Sequence, residues 1–276
     1  MCWIGLLLLL WFSLVAFTYM VFYYESANGP HLEVLRSHGS VPLLLLRGFF
    51  HSLSSHVLVV FLTLTTLYRK FWLLPAGPAT RTPVIFVHGL YHNRTAWYFY
   101  LRWFRQWGWQ QIKAINLGGV FRSIKDYEQV LATEIEEILA ATGSEQVDLV
   151  GHSMGGLVIR SYLAGGGGRN KVRRVVTLGS PHSGSKLSVF GPGSAAKEMR
   201  PDSPFLAWLN GIEPEISEGG HFYTIYTVMD NMVLPNESAI LSGPGMNPLE
   251  TRVVDHLGLL YSKYTANMVR QCLEGS

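Results

Sequence analysis

Residues 147–157 read Val-Asp-Leu-Val-Gly-His-Ser-Met-Gly-Gly-Leu, and this stretch decides the fold. Its first four residues form a short apolar run of the kind that makes a strand buried on both faces of a parallel sheet. Residues 157–163 continue as a helix. Between them lies Gly151-His152-Ser153-Met154-Gly155-Gly156, the pattern G-x-S-x-G in a strand–turn–helix setting. A turn this sharp forces strained dihedrals on the serine, and side chains at Gly151 and Gly155 would collide across the elbow. Ser153 Oγ is then expected at the top edge of the sheet, over a helix N-terminus whose dipole favours negative charge. The bland alternative is a glycine-rich turn that merely holds a helix close to a strand.

Outward from the elbow, strands alternate with helices. Residues 83–88 (PVIFVH) form a continuous apolar run ended by Gly89. An aromatic-rich helical stretch follows at 97–107, then a short strand at 112–116. The clearest helix starts at the N-cap Ser123, with Asp126 three residues on. Its apolar positions Ile124, Tyr127, Val130, Leu131, Ile135, Ile138 and Leu139 recur at spacings of three and four, and Gly143 closes it. Residues 172–178 and 221–229 read as further strands, and the glycines at 165–168 as a flexible helix exit. This order predicts an α/β protein with right-handed crossovers, a mostly parallel sheet and helices on both faces. Chemistry in such sheets gathers at the carboxyl ends of the strands.

The 276 residues carry a net charge of +3, only 15% charged residues and a mean hydropathy of +0.19. A disordered chain needs the opposite balance, and a nucleic-acid binder needs a basic stripe that is missing here. Cys2 and Cys272 are the only cysteines, so no disulfide framework or cysteine-rich metal site is expected. The excess of apolar residues is local. Residues 1–80 contain six charges, Glu25, Glu33, Arg36, Arg47, Arg69 and Lys70. From Trp3 to Tyr24 the chain is uncharged, about the ~20 residues a helix needs to cross ~30 Å of hydrocarbon. A secretory signal would be shorter, with a basic start and a small-residue exit. Residues 49–68 (FFHSLSSHVLVVFLTLTTLY) are a second apolar segment, either the return limb of a hairpin or an interfacial helix. His51 and His56 within it read as polar groups facing the first helix or the headgroups. Residues 1–77 are therefore expected to be membrane-anchoring helices and 78–276 a catalytic domain. Arg69, Lys70 and Arg81 after the second segment, against Arg36 and Arg47 before it, favour a cytoplasmic domain by one charge.

Four segments make residues 82–265 resemble the α/β-hydrolase family, and within it the bacterial triacylglycerol lipases and related esterases. They are Val87-His88-Gly89-Leu90, the elbow at 151–156, Thr177-Leu178-Gly179-Ser180-Pro181-His182-Ser183-Gly184, and the regions of Asp230 and His256. The resemblance implies an α/β-hydrolase fold, an ester or lipid substrate, no cofactor and, from its bacterial members, an inner-membrane location.

Serine needs a base, and the base an orienting carboxylate. In this fold they follow the serine in the order acid, then histidine. Asp230 comes directly after the last expected strand, in Met-Asp-Asn-Met-Val-Leu-Pro, with Glu237 in reserve. Asp255 adjoins the histidine it would have to orient and is set aside. His182 and His221 precede the acid, which leaves His256 as the base; His88, His152 and His182 read as structural. The oxyanion donors are expected to be the backbone N–H of Met154, after the nucleophile, and by resemblance that of Leu90.

The resemblance also makes residues 185–220, with the apolar patch at 205–209 (FLAWL), a possible cap over an acyl pocket; ordinary core packing is the alternative. Asp202, Glu213, Glu215 and Glu218 cluster nearby without calcium-site spacing and read as a solvated face. The leading reading is a membrane-anchored serine hydrolase of carboxylic, lipidic esters. Acyl transfer, thioester or other deacylase chemistry with the same triad stays open, as do a tethered binding module and a membrane interaction protein. Acyl-chain preference and oligomeric state are also open.

Overall fold

A computed structural model describes residues 2–67, 69–72, 77, 80–165, 167–168, 170–212 and 221–275. Among these, six strands form one sheet: β1 Val84–Val87, β2 Ile112–Ala114, β3 Val147–His152, β4 Val172–Leu178, β5 His221–Tyr226 and β6 Met246–Glu250. All neighbours are parallel, in the order β2-β1-β3-β4-β5-β6. The helices are α1 Cys2–Ala27, α2 His31–His38, α3 Val41–Thr63, α4 Tyr98–Gln106, α5 Ile124–Thr142, α6 Met154–Ala164, α7 Ser194–Glu198, α8 Pro204–Asn210, α9 Gly258–Tyr261 and α10 Lys263–Glu274.

Strand periodicity explains the layers. In β1, Ile85 and Val87 face α5 and α6, while Val84 and Phe86 face α4 and α10; all four are fully buried. Phe86 sits among aromatic rings from α4 and its lead-in, with Trp97 at 5.0 Å and Phe104 at 5.3 Å. The α5 ends are as the sequence predicts. Ser123 Oγ accepts from Asp126 N–H (3.1 Å), Asp126 Oδ2 accepts from Ser123 N–H (2.9 Å), and Gly143 takes a left-handed φ of 67°. The chain winds from β1 to β2 in one direction, then returns past β1 to β3. Strand order thus reverses between β1 and β3, the crevice where such sheets bind ligands.

Three elements differ from expectation. The helix after the elbow begins at Met154, immediately after the serine. The strand expected at 221–229 stops at Tyr226, which leaves 227–229 as a turn. An additional edge strand, β6, went unseen because its residues are half-exposed and include Pro248, a residue that edge strands tolerate.

The N-terminal helices do not stand apart from the sheet. Val15, Tyr19 and Phe22 of α1, Leu35 of α2 and Leu44 of α3 form a core with Val228, Met229 and Leu234, just beyond β5. Polar ties reinforce it: the His31 ring donates to Val228 O (2.8 Å), and Lys186 pairs with Glu25 (2.5 Å). One face of the second half of the apolar run 3–24 is therefore protein core, while Met20, Tyr23 and Tyr24 stay exposed. Residues 2–14 alone reach only ~20 Å at about 1.5 Å per residue, short of a bilayer's ~30 Å. Among the described residues, Val41–Thr66 is the one helical stretch long and apolar enough to cross a membrane.

The 205–209 patch also packs differently from a cap. Leu206 and Leu209 of α8 are buried in the α5–α6 core with Phe205 beside them, and the Lys125 ammonium lies 4.2 Å from the Trp208 ring. Glu213, Glu215 and Glu218 lie outside the described residues.

Candidate active site

Ser153 stands between the end of β3 and the first residue of α6, with φ 54° and ψ −126°. A non-glycine residue adopts a positive φ only where its surroundings impose it. Here Ser153 N–H donates to Leu178 O (2.9 Å), which pins the elbow to β4. The two glycines are needed for close approach. A Cβ on Gly151 would lie 2.7 Å from the Gly155 carbonyl carbon, and one on Gly155 would collide with Val87 O in β1.

The other two expected groups meet. His256 Nδ1 and Asp230 Oδ2 are 2.8 Å apart, both side chains nearly fully buried. Asp230 Oδ1 accepts from Met232 N–H and Val233 N–H, each at 2.9 Å, so the carboxylate is held from behind. A carboxylate oxygen only accepts, so Nδ1 carries the proton and Nε2 is left as the accepting nitrogen. The main chain of His256 is fixed as well. The His152 ring donates from Nε2 to His256 O (3.1 Å), and His256 N–H donates to Asn231 Oδ1 (3.4 Å). A Cβ at Gly179 would crowd Asp230 Oδ2 (2.8 Å) and His256 Nδ1 (3.3 Å), so only glycine leaves room beside this pair.

The alternatives set aside in the sequence lie elsewhere. Glu237 is half-exposed, 3.8 Å from His31. Asp255 is buried and pairs with His51 of α3. His182 is fully buried against Thr177 Oγ1 (3.0 Å), and His221 is exposed at the start of β5.

The loop after β1 reaches the same place. His88 Nδ1 donates to Gly89 O (2.8 Å), and its Nε2 accepts from Leu117 N–H (3.1 Å). The Gly89–Leu90 peptide is planar and trans, so fixing that carbonyl also fixes the direction of the Leu90 N–H. Leu90 lines the cavity that holds Ser153. Met154 N–H belongs to the first turn of α6, where N–H groups have no intrahelical partner.

Burial pushes the His88 pKa down to about 4, and pushes those of His152 and His182 well below the usual value. All three are neutral in the fold but protonate near pH 6.5 when unfolded. The unfolded state therefore binds more protons as pH falls below about 6.5, and stability drops toward pH 4. We expect thermal melts to be flat above about pH 7 and to fall steadily between about pH 6.5 and 4. A His88→Asn variant should show a shallower slope; an unchanged slope would remove His88 from this account.

Ser153 and His256 line one cavity of about 460 Å³, with Leu187, Phe190, Met199 and Val233 around them. Leu14, Phe17 and Thr18 of α1 and Ser52, His56 and Val59 of α3 complete its wall. No local pattern marks this wall, since Leu14, Phe17 and Thr18 lie more than a hundred positions before Ser153. Of the expected cap region, residues 185–199 contribute to the lining and α8 does not. Leu14 and Phe190 line the cavity yet are 56% and 68% exposed, which puts its mouth between α1 and the 186–190 turn. Among the described residues, no group of three His, Cys, Asp or Glu side chains is placed to hold a metal ion.

Residues 82–202 match the family model described as alpha/beta hydrolase fold. Over 121 residues the chain is 38% identical to the triacylglycerol lipases of Pseudarthrobacter phenanthrenivorans and Burkholderia plantarii. These matches cover 41% of this chain and 37% and 33% of those proteins, so the chain spans about a third of the curated relatives it matches. Among solved structures it is similar to mature Bacillus licheniformis lipase BlEst2, with TM-score 0.62 and 22% identity over 71% of this chain and 94% of that one. Aspergillus fumigatus lipase B gives TM-score 0.59 and 20% identity, over 70% and 52% of the two chains. The parallel sheet with its flanking helices is thus an α/β-hydrolase fold.

Proposed function

We propose that this chain is a membrane-associated serine hydrolase that cleaves carboxylic esters with apolar acyl groups, using Ser153, His256 and Asp230. The observation that carries the reading is a strained serine sharing one largely apolar cavity with a histidine whose far nitrogen is held by a buried carboxylate. The relatives named as triacylglycerol lipases support the same chemistry.

In this mechanism His256 Nε2 takes the Ser153 proton as Oγ attacks the ester carbonyl. The oxyanion forms against the Leu90 and Met154 N–H groups. Collapse of the tetrahedral intermediate breaks the C–O bond to the alcohol, which leaves with the proton from His256. Water, deprotonated by His256, then attacks the acyl-serine and releases the acid. Asp230 stays ionised throughout and stabilises the imidazolium.

Membrane association rests on the exposed apolar surface beside the cavity mouth. Leu9, Leu10 and Phe12 of α1, Val60 and Phe61 of α3, and Leu64 just after it are all exposed. Because the second half of α1 is docked on the sheet domain, the helices enter the bilayer with their outer halves, as an interfacial hairpin. A substrate dissolved in the bilayer then reaches the mouth at Leu14 without crossing water.

The test is hydrolysis of p-nitrophenyl esters of rising chain length by the detergent-solubilised full chain, with flotation on phospholipid vesicles. Rates that hold or rise with acyl length are expected, along with flotation of the wild type. Leu10→Asp together with Phe61→Asp should weaken vesicle binding on the order of tenfold or more, with turnover of a soluble butyrate ester unchanged. Activity confined to short chains would overturn the lipid substrate, and unaltered flotation would overturn the docking surface. A folded wild type inactive on every ester would overturn hydrolysis itself.

A further inference from the structure

The contacts made by α1 and α3 with the catalytic loops go beyond lining the cavity. Thr18 of α1 donates its hydroxyl proton to Val15 O (2.9 Å), within its own helix. Its Oγ1 is therefore an acceptor toward the outside, and it takes a hydrogen bond from Asn231 Nδ2 (2.9 Å). This contact fixes which way the Asn231 amide points. With Nδ2 turned to Thr18, Oδ1 faces His256 N–H and accepts from it at 3.4 Å. Asn231 is itself the neighbour of Asp230, so one side chain lies between the acid, the base and the helix.

A second tie comes from the other side. His51 of α3 hydrogen-bonds Asp255, the residue immediately before His256. The Asp255 side chain is fully buried, whereas that of His51 is about half-exposed. The pair joins the outer helix to the backbone that leads into the base. A Cβ at Gly258 would sit 2.6 Å from His51 Cε1, so the loop after His256 also lies directly beneath α3.

We infer that the N-terminal helices are part of the catalytic apparatus: Thr18, through Asn231, and His51, through Asp255, are positioning residues that hold His256 in register with Ser153. The inference rests on the proposed Ser153–His256–Asp230 chemistry. Its physical basis is that a base displaced by about 1 Å can cost up to 10²-fold in rate. His256 has Asp230 on its ring and His152 on its carbonyl; among the described residues its N–H bonds to Asn231, which Thr18 holds, and the residue before it pairs with His51. The hairpin facing the lipid and the base performing the chemistry are then one mechanical unit.

The experiment uses the full chain in detergent and a short soluble ester, with rates normalised to active sites titrated by a fluorophosphonate. Thr18→Val keeps the shape and removes the acceptor; Thr18→Ser keeps the acceptor. We expect Thr18→Val to lower kcat about 10- to 100-fold, with KM within about twofold, an unchanged circular dichroism spectrum, and recovery in Thr18→Ser. His51→Leu should lower kcat in the same way, and His51→Gln, which keeps a donor, should recover part of it. A kcat per titrated site within about twofold of wild type in both Thr18→Val and His51→Leu would overturn the inference, even if melting temperatures fall. So would an equal loss in Thr18→Ser and Thr18→Val. Failure of the underlying reading is distinct, because there the wild type would hydrolyse nothing or Ser153→Ala would match it.

Discussion

Ser153→Ala is expected to lower kcat for ester hydrolysis by about 10⁵- to 10⁶-fold, the loss found when the nucleophile of a serine triad is removed. The size follows from what remains. Alanine leaves the cavity, the Leu90 and Met154 N–H groups and His256 in place, so the variant still binds ester and polarises its carbonyl. It cannot form the acyl-enzyme, and direct attack by water is the slow route that is left. The variant should fold like the wild type, since the elbow is held by the Ser153 N–H bond to Leu178 O and by the approach of Gly155 to β1, neither of which needs the hydroxyl. Fluorophosphonate labelling should disappear with the activity. Removing His256 as well should add little, because the two act as one unit. Retention of more than about a hundredth of wild-type activity would mean that another nucleophile does the work.

Asp230→Asn should cost about 10⁴-fold while leaving the fold intact, by analogy with the same change in a serine protease triad. The surroundings of Asp230 make the reason specific. Its Oδ1 accepts two backbone N–H groups, from Met232 and Val233. An asparagine must keep its carbonyl oxygen there, since an NH₂ group facing two donors would leave all of them unpaired. The amide nitrogen is thereby turned to His256 Nδ1. Two donors cannot share a hydrogen bond, so the histidine proton moves to Nε2, and the ring can no longer accept the serine proton. Kinetics with a soluble ester, beside a melting curve to establish folding, measure this. A loss of less than about tenfold would pass the role to another carboxylate, with Glu237→Gln the next variant to make.

Local features were legible in the sequence because local chemistry produces them. The Ser123–Asp126 box, the Gly143 stop and the glycines of the elbow each serve a turn whose partners lie within a few residues. The meeting of Asp230 with His256, beside Ser153, was also legible, since the order of strands constrains which loops can come together. Two things were not. β6 is half-exposed and proline-bearing, so its residues carry little of the apolar signal that marks buried strands. The destination of α1 and α3 was hidden for a deeper reason: an apolar face is written the same way whether it meets lipid or a protein groove. The run 3–24 satisfies the arithmetic of a membrane span, yet one face of its second half is committed to Val228, Met229 and Leu234. The 205–209 patch shows the same ambiguity at small scale: Leu206 and Leu209 go to the core while Trp208 stays partly exposed.

The docking of α1 on the turn beyond β5 also has a bearing on timing during synthesis. The helix leaves the ribosome long before its partners Val228, Met229 and Leu234. At 5–20 residues per second, a separation of about 200 residues amounts to roughly 10–40 s. Throughout that interval the helix has an apolar side without its partner. The cavity can close only when residues 231–233 and 256–257 of its lining have emerged. A cavity assembled in this order stays open until both of its walls, far apart in the chain, have been made.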